Sequence, residues 1–278
     1  MTLRFTGADG VELAAELTGR WDDPLVVLLH GGGQTRSAWG DAATALTTAG
    51  YLVLSLDLRG HGDSDWAADG NYSMDAYAED LRRIVRCLDR PAALVGASLG
   101  GLASIVAAGE SPAVDCTALV LVDVVPRLDE AGKATIMSFM LADQDGFASV
   151  EHAAEAVAGY LPHRPRPAST SGLQKNLRRR DNGRYYWHWD PRMLSEETSP
   201  RNISEERLEQ AIANVRAPIL LLRGDRSEIV HAENVAAFQA VVPTAEYVEV
   251  VGAAHMVAGD RNDMFGSALI EFLDRHVR

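Results

Sequence analysis

Short, wholly apolar runs punctuate the first half of the chain. Leu25-Val26-Val27-Leu28-Leu29 is preceded by Asp22-Asp23-Pro24 and followed by Gly31-Gly32-Gly33. A run this short, made of Val and Leu alone, suits a strand buried on both faces. Similar runs recur at 51–56, 92–96 and 118–122. Ahead of them, residues 3–6 and 11–17 flank Asp9-Gly10 and predict a hairpin. Between the runs the spacing changes. Met74, Tyr77, Leu81, Ile84, Val85 and Leu88 recur at helical intervals, with Ser73 placed to cap them. Buried strands alternating with helices predict an α/β protein: a parallel sheet with helices on both faces.

The alternation stops after Val122. From 126 to 216 no buried strand is read. This segment holds helical pieces, a Pro- and Arg-rich stretch at 161–167 and a dense aromatic run, Tyr185-Tyr186-Trp187-His188-Trp189. Strand patterns resume at 219–222 and 247–251. A last helix carries Met264, Phe265, Leu269, Phe272 and Leu273 on one face. Charge separates the same regions. Residues 126–216 contain thirteen basic and thirteen acidic residues, so the rest of the chain carries the whole formal charge of −13. The expected organisation is a core of 1–125 and 217–278, interrupted by a mostly helical lid at 126–216.

Composition narrows the class. With 47% hydrophobic and 23% charged residues the chain is ordinary globular protein. Its acidic balance argues against nucleic acid or an anionic membrane as a partner. No stretch of about 18 apolar residues predicts a membrane span, and the first residues lack a signal-peptide pattern. Cys87 and Cys116 are the only cysteines. They form neither a disulfide framework nor a metal cluster and are expected to be small buried residues. A cytoplasmic enzyme with a small-molecule substrate, no cofactor and no metal is the expectation.

The chemistry concentrates at strand ends. Gly96-Ala97-Ser98-Leu99-Gly100 is the sole G-x-S-x-G, set after a buried strand and before a small-residue helix. A nucleophile at so tight a strand-to-helix turn needs neighbours without bulk two residues before and after it. The turn also puts Ser98 at a helix N-terminus, where free N–H groups favour developing negative charge. Leu99 N–H is the expected first oxyanion donor. The second should come from His30-Gly31-Gly32-Gly33, with Gly32 chosen over Gly33. His255 follows the last strand pattern, as the general base of such a site should. For the acid that orients it, Glu228 is the first choice, because it stands where the loop turns back toward the sheet. Asp123 at the end of the 118–122 strand and Asp225 are the alternatives. Trp187 and Trp189 are expected to bind substrate. Arg178-Arg179-Arg180 reads as a solvated helix face.

Together His30-Gly31-Gly32-Gly33, the 57–64 stretch Asp-Leu-Arg-Gly-His-Gly-Asp-Ser, the Ser98 pentapeptide and the late His255 resemble the α/β-hydrolase superfamily over essentially the whole chain. Within it the chain looks like the esterase, bromoperoxidase-like and epoxide-hydrolase-like group with a helical cap. The resemblance implies a mostly parallel eight-stranded sheet, the 126–216 segment as cap over the active site, and 57–64 as a structural loop. One departure stands out: many relatives carry aspartate near 227 or 228, where this chain has Ser227 and Glu228. Serine rather than aspartate at 98 implies attack on acyl carbon, hence cleavage of an ester, thioester, lactone or activated carbon–carbon bond through an acyl-enzyme. Peracid formation would be a side activity. The rival readings are a lyase or oxygenase in which His255 is the base and Ser98 only positions substrate, and a non-catalytic ligand-binding protein.

Overall fold

A computed structural model of the chain describes residues 1–160, 169–195, 199–255 and 262–278. The stretch 161–167 singled out above lies outside the described residues. Eight strands form one sheet: β1 (Thr2–Thr6), β2 (Glu12–Thr18), β3 (Leu25–Leu29), β4 (Leu52–Leu56), β5 (Ala92–Ala97), β6 (Cys116–Val122), and, after a hairpin of β7 (Leu177–Arg179) and β8 (Tyr185–Trp187) outside the sheet, β9 (Ile219–Gly224) and β10 (Glu246–Val250). The sheet order is β1-β2-β4-β3-β5-β6-β9-β10. Pairing is antiparallel at β1–β2 and β2–β4 and parallel from β4 to β10.

The period of two along each strand sorts its side chains onto two faces. Leu25, Val27 and Leu29 of β3 join one core, whereas Val26 and Leu28 join the other. Helices α1 (Gly40–Thr48), α2 (Met74–Leu88) and α3 (Leu99–Gly109) divide between these faces. Helix α2 begins where Ser73 Oγ accepts the Ala76 N–H at 3.3 Å and ends at Asp89, which takes a left-handed φ of 50°. It packs with α3 on the first face. Helix α1 and the closing helix Asn262–His276 cover the second, burying Leu46, Phe265 and Phe272.

Between the neighbouring strands β6 and β9 the chain inserts α4 (Glu130–Leu141), α5 (Val150–Tyr160), α6 (Ser171–Gln174), the β7–β8 hairpin and α7 (Glu205–Asn214). The insertion has a small core of its own around Phe147, Ala153 and Leu177. Its last helix belongs elsewhere. Helix α7 lies on α3, so close that a Cβ at Gly109 would sit 1.9 Å from the Ala211 carbonyl oxygen. Three expectations change here. Arg178 and Arg179 lie on strand β7 instead of a helix, and the Arg180 guanidinium stacks 3.9 Å from the Tyr186 ring centroid. The first three residues of the aromatic run, Tyr185–Trp187, form strand β8 where no strand is expected, and His188 and Trp189 follow it in a bend. Cys87 is exposed instead of buried, on the outer side of α2. Among the described residues no helix is long and apolar enough to cross a membrane.

Candidate active site

The corner at Ser98 is built by steric exclusion. Ser98 has φ 45° and ψ −115°, a conformation that L-residues hold only when surrounding structure enforces it, at about 1–3 kcal/mol. The enforcement comes from packing. A Cβ at Gly96 would lie 2.5 Å from Gly100 O, and one at Gly100 would lie 2.4 Å from Leu29 O on β3. Gly101 has the Val124 side chain at 2.4 Å from the same imagined atom. The three glycines therefore let α3 start directly against β3 and β5. Ser98 sits at the N-terminal end of α3, beside Leu99.

His255 lies beyond β10 and lines the same cavity as Ser98. Its Nδ1 stands 2.8 Å from Asp123 Oδ2. Asp123 is fully buried, its backbone turned into the left-handed region at φ 51°. Its other contacts orient it: Oδ1 accepts the Gly224 N–H at 3.2 Å and Oδ2 accepts the Ser227 hydroxyl at 2.6 Å. Glu228, the first choice from sequence, is therefore displaced by Asp123. Glu228 is exposed, with its main chain against Gly132 of α4. Among the described residues Asp123 is the only carboxylate bonded to His255. The reason is strand pairing. Val122 is in register with Leu222, and Asp123 N–H continues the ladder to Leu222 O at 2.8 Å. The ends of β6 and β9 are thus side by side, and a carboxylate from either can reach the same imidazole. Asp225 is engaged elsewhere, accepting the Gly252 N–H at 2.8 Å.

The glycine loop after β3 shows which amides are committed. Gly31 N–H donates to Gln34 Oε1 at 2.9 Å, and Gly33 N–H donates to His61 Nε2 at 3.1 Å. Gly32 N–H and Leu99 N–H have no partner among the described residues. Gly33 is thereby excluded as a free donor and Gly32 remains. His30 and His61 are wholly buried and support this loop from below. His30 Nε2 accepts Leu58 N–H at 3.0 Å while Nδ1 meets Gly31 O at 2.8 Å. His61 Nδ1 meets Arg59 O at 2.9 Å. Burial pulls both imidazoles down to about 3, far below their ordinary range, so both are neutral and each has one fixed tautomer. The 57–64 loop is likewise structural. Asp57 accepts the N–H groups of Arg36 and Asp63, and the Arg36 guanidinium pairs with its carboxylate.

Above these groups lies a cavity of about 1600 Å³, walled on one side by the insertion. Trp187 and Trp189 both line it and stack with centroids 4.9 Å apart and 10° between planes. Phe139 of α4 adds to the wall 5.8 Å from Trp187. Met140 and Trp189 reach the glycine loop itself: a Cβ at Gly33 would find Trp189 at 3.3 Å and Met140 at 3.4 Å. Tyr185 and Tyr186 do not line it. Two residues at the site are not selected from sequence. Ser227 occupies the place of an acid and bonds to one. His188, just past the end of β8, turns away from the cavity that Trp187 and Trp189 line, toward Gly62 and Gly33. Among the described residues no group of three or more His, Cys, Asp or Glu is arranged to hold a metal ion.

A sequence model of the α/β hydrolase fold matches residues 24–261. The chain belongs to that family and is an enzyme of the hydrolase class. It is similar to the esterase Rv0045c of Mycobacterium tuberculosis, 33% identical over 78% of this chain and 72% of that one. It is also similar to 2-(acetamidomethylene)succinate hydrolase of Mesorhizobium japonicum, 26% identical over 90% of this chain and 88% of that one. Among solved structures, E-2-(acetamidomethylene)succinate hydrolase superposes with a TM-score of 0.87 at 24% identity, covering 99% of both chains. The esterase Rv0045c superposes with 0.76 at 29% identity, covering 99% of this chain and 92% of that one.

Proposed function

We propose that this chain is a serine hydrolase that cleaves carboxylic esters or thioesters of partly apolar acids through an acyl-enzyme on Ser98. His255 Nε2 takes the Ser98 hydroxyl proton as Oγ attacks the acyl carbon. Asp123 holds the Nδ1–H tautomer and stabilises the imidazolium that forms. The negative charge on the former carbonyl oxygen is met by Gly32 and Leu99 N–H, each such donor worth about 2.7–4 kcal/mol. The imidazolium then protonates the departing alcohol or thiol. Water, deprotonated by the same His255, hydrolyses the acyl-enzyme. The 126–216 segment acts as the cap, and Trp187, Trp189 and Phe139 receive the apolar part of the substrate.

The single observation that carries this reading is the 2.8 Å contact between His255 and buried Asp123, in a cavity shared with a serine at a strained corner. The family and the esterases among the relatives agree with it. The test is labelling by a fluorophosphonate together with turnover of 4-nitrophenyl esters of increasing acyl length. Wild type is expected to label at one serine and to turn over. Ser98→Ala is expected to lose the label and at least about 10⁴-fold of the turnover. An unlabelled wild type, or a Ser98→Ala that keeps its rate, overturns the reading in favour of base catalysis by His255 alone or of simple ligand binding.

A further inference from the structure

The stretch that supplies the two cavity tryptophans, the end of β8 at Trp187 and the bend at 188–189, also sends one side chain the other way. His188 lies between Trp187 and Trp189 and is 1% exposed. Its Nδ1 accepts Gly62 N–H at 2.8 Å, which fixes the proton on Nε2, and Nε2–H donates to Gly33 O at 3.2 Å. Gly33 N–H is held on its other side by His61. Both polar groups of the Gly33 residue are thus taken by histidines, one from the core and one from the insertion. His61 and His188 are neighbours, with ring centroids 5.9 Å apart. Burial and the nearby His61 bring His188 to about 3, so it is a neutral group with one donor and one acceptor.

We propose that His188 is a positioning residue for the oxyanion hole, a latch by which the inserted segment fixes the Gly33–Gln34 peptide, one residue past Gly32. The proposal rests on the serine-hydrolase reading and adds to it. A hydrogen-bond donor aimed at developing charge is effective only when it is held before the charge appears. Gly32 N–H is one peptide from the Gly33 N–H that His61 holds and two from the Gly33 carbonyl that His188 holds, in a loop of three glycines whose own backbone freedom is high. Three contacts restrain that loop near Gly33: His61 on its N–H, His188 on its carbonyl, and Trp189 packed on its Cα side. His188 and Trp189 both come from the insertion. Seating the insertion and presetting the hole are therefore one event.

The test compares three variants in the full chain. His188→Gln keeps an acceptor for Gly62 N–H and a donor for Gly33 C=O. His188→Met fills similar space with neither. His188→Asn, if the Met variant fails to fold, keeps the Gly62 contact and is too short for the Gly33 carbonyl. Turnover of a 4-nitrophenyl ester and inhibition by an aryl trifluoromethyl ketone, which forms a tetrahedral adduct, are measured together. The latch predicts that kcat falls about ten- to hundredfold in His188→Met or His188→Asn with KM within about twofold. Affinity for the ketone should fall in parallel, and His188→Gln should recover most of both. A folded Met or Asn variant with unaltered kcat and ketone affinity overturns the latch. So does a change confined to KM, which would make His188 part of the substrate wall only. Ser98-dependent turnover of the wild type is established first. Its absence sinks the serine-hydrolase reading, while its presence beside an unaffected His188 variant sinks the latch alone.

Discussion

The corner at Ser98 and the carboxylate behind His255 are fixed by different kinds of constraint. The corner is local. Its glycines lie within five consecutive residues: a Cβ at Gly96 would enter Gly100 backbone at 2.5 Å, and only the Cβ that Gly100 lacks would meet another strand, Leu29 O of β3, at 2.4 Å. The carboxylate is placed by partnership between strands remote in sequence. Val122 pairs with Leu222, so Asp123 and the loop holding Ser227 open onto one spot. A locally built element tolerates almost no exchange of its residues. An element built by strand adjacency has two chain positions from which one job can be done.

This contrast can be broken or sharpened by substitution. The largest effect is expected on the corner. Gly100→Ala drives a methyl into the Leu29 carbonyl, and folded, soluble protein should be lost, read by expression and circular dichroism. If Gly100→Ala folds with normal activity, the corner is not as tight as described. Next comes Asp123→Asn, which keeps the shape and removes the charge. It is expected to cost about 10⁴-fold in kcat, because the amide favours the wrong imidazole tautomer. A smaller, informative effect follows from the shared spot. Asp123→Ser should be nearly inactive, and adding Ser227→Asp to it should return at least about tenfold of the lost turnover, since Ser227 Oγ is only 2.6 Å from the atom that now bonds His255. A double variant no better than the single one would show that strand adjacency alone does not suffice. Smallest of all is Glu228→Gln, expected within about twofold of wild type in kcat/KM because Glu228 is exposed. A loss approaching that of Asp123→Asn would restore Glu228 as the acid.

The same distinction explains what was legible in the sequence. Apolar runs gave the buried strands, because a strand covered on both faces has no polar position to spare. The Ser98 corner and the glycine loop were readable for the reason just given: their chemistry is contained in a few adjacent residues. The bond that takes Gly33 N–H, to His61, is a contact no local pattern reports. The acid was not readable to one residue. Chain order restricts it to a loop after a late strand, and which strand depends on a lateral pairing across the insertion. The sequence pattern predicts a mostly helical insertion. Its β7–β8 hairpin escaped because a three-residue strand with aromatic residues on both sides of its pleat lacks an apolar–polar alternation. With it escaped His188, in the bend just past β8, whose bonds to Gly62 and Gly33 follow only from where the hairpin sits.

The central claim is that Ser98 forms a covalent acyl intermediate, with His255 needed to release it. The most direct measurement is intact-mass and peptide analysis of protein quenched within milliseconds of mixing with an activated ester. The account predicts a mass increase equal to the acyl group, located on the peptide containing Ser98 and absent in Ser98→Ala. Steady turnover with no acylated protein at any quench time, or an adduct on another residue, would contradict it.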